Sequence, residues 1–298
     1  MSVLAAVLRF ALPWEFSPVV LAACALPTVA YVRGLRARRA SGRPEKGLRA
    51  LAFLVGVGSI YAVLQTRIDF LAQHMFWIHR VQHLVLHHLG PFLVALGAPV
   101  DTLAAGSPPA LLRTLRPLVA NRVVRVLYRT LQQPVIACVL FVGLIGFWLT
   151  PAVHFYAMLI KPIYLAMNWS MLIDGLLFWW LILGPERAGA PRLATRMAML
   201  VAVAIPQAIL GAYLTFRATP LYDVYGLCGR AFAISPQLDQ QLGGLNTWIP
   251  PGMMSALGLI VLASRWMRLD ARRAPDATAE RRPRGHSGAL ARASAPIA

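Results

Sequence analysis

The chain has 298 residues, 58% of them hydrophobic and only 13% charged, against roughly one-quarter charged in an average soluble domain. This excludes an ordinary water-soluble enzyme, and it excludes disorder for all but the end of the chain, because unfolded segments combine low hydrophobicity with high charge. The net charge of +18 is spread over short gaps between apolar runs, which fits the basic excess beside membrane spans and not the continuous stripe of a nucleic-acid binder. Membrane lipids are therefore expected as partners, and nucleic acid is not.

Residues 1–14 are apolar with a single Arg9. They lack the basic start and small-residue cleavage site of a secretory signal, so a short interfacial segment is expected. Seven apolar windows follow, near residues 16–32, 50–66, 70–96, 134–150, 163–183, 197–217 and 246–266; about 20 residues are needed to cross the hydrocarbon as a helix. The expectation is an all-α, polytopic membrane protein, a seven-transmembrane-helix bundle forming a single domain over residues 1–268. A basic, disordered cytoplasmic tail follows at 269–298.

Sidedness follows from the gaps. Arg33, Arg36, Arg38, Arg39, Arg43, Lys46 and Arg49 lie after the first window. Arg113, Arg116, Arg122, Arg125 and Arg129 lie after the third, and Arg187, Arg192 and Arg196 after the fifth. The opposite gaps hold isolated charges such as Arg67, Lys161 and Arg230. By the positive-inside rule the N-terminus is out and the C-terminus in. Residues 101–133 interleave arginines with leucines and valines and read as a basic amphipathic helix on the inner leaflet, with a solvated loop as the alternative. The outer gap at 219–245 is expected to cap the bundle, with Asp239, Gln240 and Gln241 facing a partner. Cys24, Cys138 and Cys228 stand apart, without a Cys-x-x-Cys pair, so neither a disulfide framework nor a zinc site follows.

Ionisable groups inside a span usually face the bundle interior or a water-filled cavity, which makes each a candidate site. Five of the seven histidines, His74, His79, His83, His87 and His88, fall in the third window. At about 100° per residue, His79, His83 and His87 share one stripe with Asp69, Gln73 and Arg80 on or beside it, while His74 and His88 point to other faces. The i, i+4 spacing lets His79 with His83, or His83 with His87, reach one metal ion. In the fifth window Tyr164, Met167, Met171 and Asp174 share a face. Thioether and imidazole suit Cu(I), so His79, His83, His87, Met167 and Met171 are candidate ligands, with Asp69, Arg80 and Asp174 tuning the charge. Met253 and Met254 are secondary candidates, following Pro250 and Pro251, which are expected to break the seventh helix near the outer face.

Other readings remain open at this point. Arg80 and Asp174 could form a buried structural ion pair; the stripe could relay protons or hold haem. No nucleophile elbow, His-Glu-x-x-His or phosphate-binding glycine loop is present, so no enzyme is indicated.

His79-Arg80-Val81-Gln82-His83-Leu84, then Pro91 and Leu96-Gly97-Ala98-Pro99, resemble the His-Met-x-Gln-His and Leu-Gly-Ala-Pro pattern of the bacterial CtaG-type (caa3-type) cytochrome c oxidase assembly factors. In order behind them come Gly175-Leu176-Leu177-Phe178-Trp179-Trp180, Leu210-Gly211-Ala212-Tyr213-Leu214-Thr215-Phe216, and Asp239-Gln240-Gln241-Leu242-Gly243-Gly244 with Trp248-Ile249-Pro250. The resemblance implies a protein of the bacterial cytoplasmic (inner) membrane that assists Cu(I) delivery to an oxidase. A cytochrome c oxidase subunit or a copper chaperone would be its partner. Two positions depart from the pattern: Trp148-Leu149-Thr150-Pro151 stands where the family often has Trp-His-x-Pro, and Tyr164 and Asn168 stand where a histidine pair is expected. His154 is then the candidate substitute for a missing imidazole. The combined expectation is an outward-opening polar cavity among the third, fifth and seventh helices, holding Cu(I) transiently. A copper or proton transporter and a haem-binding membrane protein are the alternatives.

Overall fold

The computed structural model describes residues 12–186 and 189–280, with side chains up to residue 271. The interfacial segment up to residue 11, Arg187 and the last part of the tail, from 281, lie outside the described residues. Within them every regular element is a helix. In chain order they are α1 (Pro18–Ala40), α2 (Gly47–Gln65), α3 (Arg67–His74), α4 (Phe76–Leu84), a π-helical turn (Val85–Leu89), α5 (Gly90–Leu96), α6 (Val100–Gly106), α7 (Pro109–Ala120), α8 (Arg122–Leu131), α9 (Pro134–Leu149), α10 (Pro151–Leu159), α11 (Lys161–Leu183), α12 (Leu193–Phe216), α13 (Val224–Leu227) and α14 (Pro236–Glu280).

Five helices, α1, α2, α11, α12 and α14, are long and apolar enough to cross a membrane. Two bent pairs raise the number to seven if each is one span: Phe76–Leu96 with α6, bent by 74°, and α8 with α9, bent by 73°. The first bend has a local cause. Ala98 sits at φ 45°, a left-handed conformation costly for a residue with a Cβ, and Pro99 disfavours the helical conformation for the residue before it. The chain turns there so that α6 can lie along α1, where Gly34 and Gly106 let the two backbones meet; a Cβ on either would collide with the opposite backbone. Small residues at such a crossing are how apolar helices approach closely.

Hydrogen bonds and ion pairs define two ends of the bundle. At one end Trp14 N–H reaches Gln65 O, Glu15 pairs with Lys161, and Tyr222 Oη donates to Leu149 O at 2.8 Å. At the other, Arg265 donates to Leu183 O at 2.6 Å, Arg196 donates to Gly184 O at 2.8 Å, and Glu45 takes Arg38 and Arg49. A cleft of about 480 Å³ at this second end is lined by Arg38, Arg49, Arg265 and Arg268. Arginines of the first and third basic gaps and of the end of α14 thus meet at this end. No residue of α7 or α8 is buried, and both carry exposed leucines or valines, such as Leu118 and Val123, beside their arginines.

One sequence expectation is corrected. The prolines at 250 and 251 do not break the seventh helix; α14 runs through them without interruption to Glu280. A proline in a helix costs only the hydrogen bond its missing N–H would have made plus a local clash, and packed neighbours absorb it. Here α12 lies along α14 for much of its length, with Gly211 fitted under the Trp248 side chain.

Candidate metal centre

The third window is not the single helix expected from its apolar length. Met75 is extended (φ −142°, ψ 122°), separating α3 from α4. A new helix start leaves backbone N–H groups without acceptors, and a carboxylate 163 residues beyond Phe76 supplies one: Asp239 accepts from Phe76 N at 3.1 Å and Trp77 N at 2.9 Å. Its negative charge also complements the positive end of α4, and Arg230 forms an ion pair with it. Gln240 accepts from Leu221 N at 2.6 Å and donates to Leu214 O at 3.3 Å. Asp239 and Gln240, expected to face a partner, are 0% and 2% exposed, and their hydrogen bonds point into the fold. Gln241 is half-buried. Gly243 lets α14 close on α4, since a Cβ there would strike the Phe76 ring.

On α4 the break positions His79 beside His83, ring centroids 4.2 Å apart. His154 on α10 stands 5.1 Å from His79, edge to face. The three imidazoles differ in what they have left to offer. An arginine N–H can only donate, so His83 Nδ1 accepts from Arg80 Nη1 at 3.3 Å and its Nε2–H donates to Asn168 Oδ1 at 3.2 Å. A carbonyl can only accept, so His154 Nδ1–H donates to Trp148 O at 3.1 Å while Nε2 accepts from Tyr225 Oη at 2.9 Å. Burial pushes the His154 imidazole down to about 3, against the pull of the Trp148 carbonyl. His79 is 0% exposed and neither of its ring nitrogens has a partner. Leaving a buried polar atom unsatisfied costs about 1–3 kcal/mol, so such a ring in a native fold calls for a reason.

The next turn departs from the α-helical wheel. Val85–Leu89 is π-helical, a form in which a residue is in effect inserted and side-chain directions rotate. His88, expected to point away from the stripe, is therefore brought inside and is 3% exposed, beside His87 at 0%. His87 Nε2–H donates to Asp174 Oδ2 at 2.9 Å, and His88 Nε2 meets Gln207 Oε1 at 3.4 Å. The Nδ1 atom of each has no partner. The Arg80–Asp174 pair considered from the sequence does not form: Asp174 takes His87, while Arg80 donates to Thr247 Oγ1 at 3.0 Å and to His83.

Met167 and Met171 are both buried, in one apolar cluster with Phe76, Trp148 and Tyr164. Met171 also lines a void of about 10 Å³ with Arg80, His83, His87 and His88. Asp69, on α3, lies apart from the imidazoles and accepts from Gln73 at 3.0 Å, Gln82 at 2.8 Å and Tyr164 Oη at 2.7 Å. The single outward-opening cavity expected from the sequence is divided in two. A vestibule of about 170 Å³ reaches Asp69, Tyr164 and Asn168, and the small void lies among the histidines. Asn168, which lines the vestibule and bonds to His83, stands at the division. Tyr164 and Asn168 thus bond to Asp69 and His83. Met253 is 63% exposed and Met254 packs with Trp179 and Leu200, so neither is grouped with the imidazoles. Among the described residues no set of three His, Cys, Asp or Glu is arranged to hold a metal ion.

Residues that the sequence reading passed over, Asn168 as a partner of His83, Gln207, Tyr225 and Thr247, all satisfy or position an imidazole or Arg80. No local motif marks them, because each meets its partner across 70 or more intervening residues. Gly175 is a fifth: an added Cβ would stand 2.6 Å from His87 O and 2.9 Å from its Cα. Gly175→Ala should push α11 off the π-helical turn and destabilise the protein by about 1–3 kcal/mol. Thermal unfolding in detergent checks this against Gly143→Ala and Gly146→Ala, where nothing lies within 4 Å and no loss is expected.

Uncharacterized proteins of Mycobacterium bovis and Mycobacterium tuberculosis are each 27% identical to the chain over 279 residues, covering 87% of it and 40% of theirs. One from Mycobacterium leprae is 27% identical over 285 residues, covering 89% of the chain and 41% of its own length. The chain thus spans about two fifths of the length of the curated relatives it matches. No solved structure is significantly similar. Residues 29–269, which hold the broken third helix, its histidines, the methionines of α11 and the Asp239 cap, match the cytochrome c oxidase caa3 assembly factors (Caa3_CtaG), and the chain belongs to that family.

Proposed function

We propose that this protein is a seven-span, multi-pass protein of the bacterial cytoplasmic membrane, N-terminus out and C-terminus in, that helps deliver Cu(I) to the catalytic subunit of a cytochrome c oxidase. It acts as a carrier, not as a catalyst. The observation that carries the reading is the His79 imidazole, fully buried and unbonded at both nitrogens, with His83 and His154 beside it. A soft d¹⁰ ion would use that lone pair, and imidazole and thioether are ligands that suit Cu(I).

Arg80, buried and bonded to His83, opposes positive charge at this site, which favours an ion of low charge over a divalent one. His83 and His154 would have to exchange existing hydrogen bonds for the metal, so binding is weak and exchangeable, as release to a partner requires. That partner is an oxidase subunit or a copper chaperone. The exposed basic faces of α7 and α8 suit anionic headgroups of the inner leaflet.

The test is the metal and haem content of detergent-purified protein under reducing conditions, for wild type beside His79→Ala and His83→Ala. Copper in the wild type that falls by at least tenfold in His79→Ala is expected. Equal copper in all three removes the site. A Soret band would favour a haem-handling role instead, and copper uptake by cells expressing this protein alone would favour a transporter.

A further inference from the structure

The stripe of imidazoles carries more donor capacity than one ion uses. His87 and His88 are consecutive, and on an α-helix they would diverge by about 100°. The π-helical turn brings both inside, ring centroids 5.0 Å apart. Each is held by its Nε2: Asp174 Oδ2 at 2.9 Å for His87, and Gln207 Oε1 at 3.4 Å for His88. Each keeps a buried Nδ1 with no partner. A carboxylate or amide oxygen on one ring nitrogen, with the other free, is the arrangement that orients an imidazole and raises its basicity toward a metal. Both rings line the small void of about 10 Å³, and Met171 lines it too.

We propose that His87 Nδ1, His88 Nδ1 and the Met171 thioether form a second station for a dehydrated, soft monovalent cation, distinct from His79 and deeper along the helix. The size of the void selects against other cargo. It is about large enough for one water or one bare ion, so Mg²⁺ and Ca²⁺, which keep waters or need six or more oxygens, do not fit. Two nitrogens and a thioether are too few for the closed four-ligand shell of structural zinc, whereas Cu(I) accepts low coordination and soft donors. The Arg80 guanidinium on the same void opposes any cation, and the Asp174 carboxylate on His87 offsets it. At the His79 station Arg80 bonds directly to His83, and no carboxylate bonds to the rings there. The deeper station is therefore the better balanced of the two, and an ion would pass from the first to the second past Met171. The identity of the ion rests on the copper reading; the place of the station does not.

Anaerobic titration of the full-length, detergent-purified protein with Cu(I) against bicinchoninate tests the proposal. Two equivalents are expected for wild type, one for His79→Ala, one for His87→Gln with His88→Gln, and none for the combined variant. Size-exclusion profiles show whether each variant is folded. If the double glutamine variant aggregates, copper K-edge absorption on His79→Ala decides: nitrogen neighbours with one sulfur are expected, the sulfur disappearing in Met171→Leu. A single equivalent in wild type that His79→Ala removes overturns the second station and leaves the proposed function standing. Two equivalents that persist in the glutamine variant also overturn it, as does loss of both in His79→Ala. Two equivalents in His79→Ala, of which the glutamine pair removes one, sink the His79 assignment and support the deeper station. No copper in wild type refutes both.

Discussion

Asp239→Ala should be among the most destabilising single changes in this protein. The carboxylate is 0% exposed, accepts from the Phe76 and Trp77 N–H groups that begin α4, and pairs with Arg230. Its removal orphans both amides and strands the Arg230 guanidinium, whose side chain is 16% exposed. Breaking one side of a buried pair costs about 3–5 kcal/mol. The partial exposure of Arg230 sets the expectation at the lower bound, about 3 kcal/mol. Thermal unfolding in detergent and the rate of limited proteolysis near Met75 are the readouts. Asp239→Asn, which keeps an oxygen acceptor for one amide, should lose less. A melting point equal to wild type would show that the break at Met75 does not depend on this cap.

In a cell whose respiration depends on the oxidase served, His79→Ala should reduce oxidase activity in copper-poor medium to the level of a deletion strain. Added copper should partly restore it in both. The effect follows from the ring being buried and unbonded: the substitution deletes donor atoms without breaking a hydrogen bond, so the protein should accumulate to normal amounts in the membrane. Immunoblotting for the protein, together with oxidase activity per cell, separates loss of site from loss of fold. Wild-type activity in His79→Ala at low copper would dismiss this imidazole as a participant.

The fold was legible in the sequence where apolar run length decides the outcome. Six of the seven windows coincide with a helix or part of one, and the third with a run of helical segments interrupted at Met75, because a segment must satisfy its own backbone when neither water nor a neighbouring strand is at hand. The breaks within the windows were not legible. Met75 carries no proline or glycine to announce an extended residue, and the carboxylate that stabilises the new helix start lies 163 and 162 positions from the amides it accepts from. The prolines at 250 and 251 had the opposite fate: a strong local breaker sits in a helix that continues, since packing against α12 outweighs one or two lost hydrogen bonds.

Of the candidate site, the concentration of imidazoles and the face shared by Met167 and Met171 could be read from residue spacing alone. What each imidazole has left to donate could not. Helical periodicity set His88 apart from His87, whereas the π-helical register at Val85–Leu89 leaves both rings lining one void.

By itself the sequence determined that this is an all-helical chain of apolar, span-length segments with arginine-rich gaps. It also determined that histidine is gathered in one of those segments, since hydrophobic length, charge placement and residue counts are properties of the chain before it folds. Only the tertiary structure decided which nitrogens are free. Asn168, Asp174, Gln207 and Tyr225 each claim a ring nitrogen from another helix. A hydrogen bond a few ångströms long depends on helices meeting at one depth and one rotation, which no local spacing in the chain specifies.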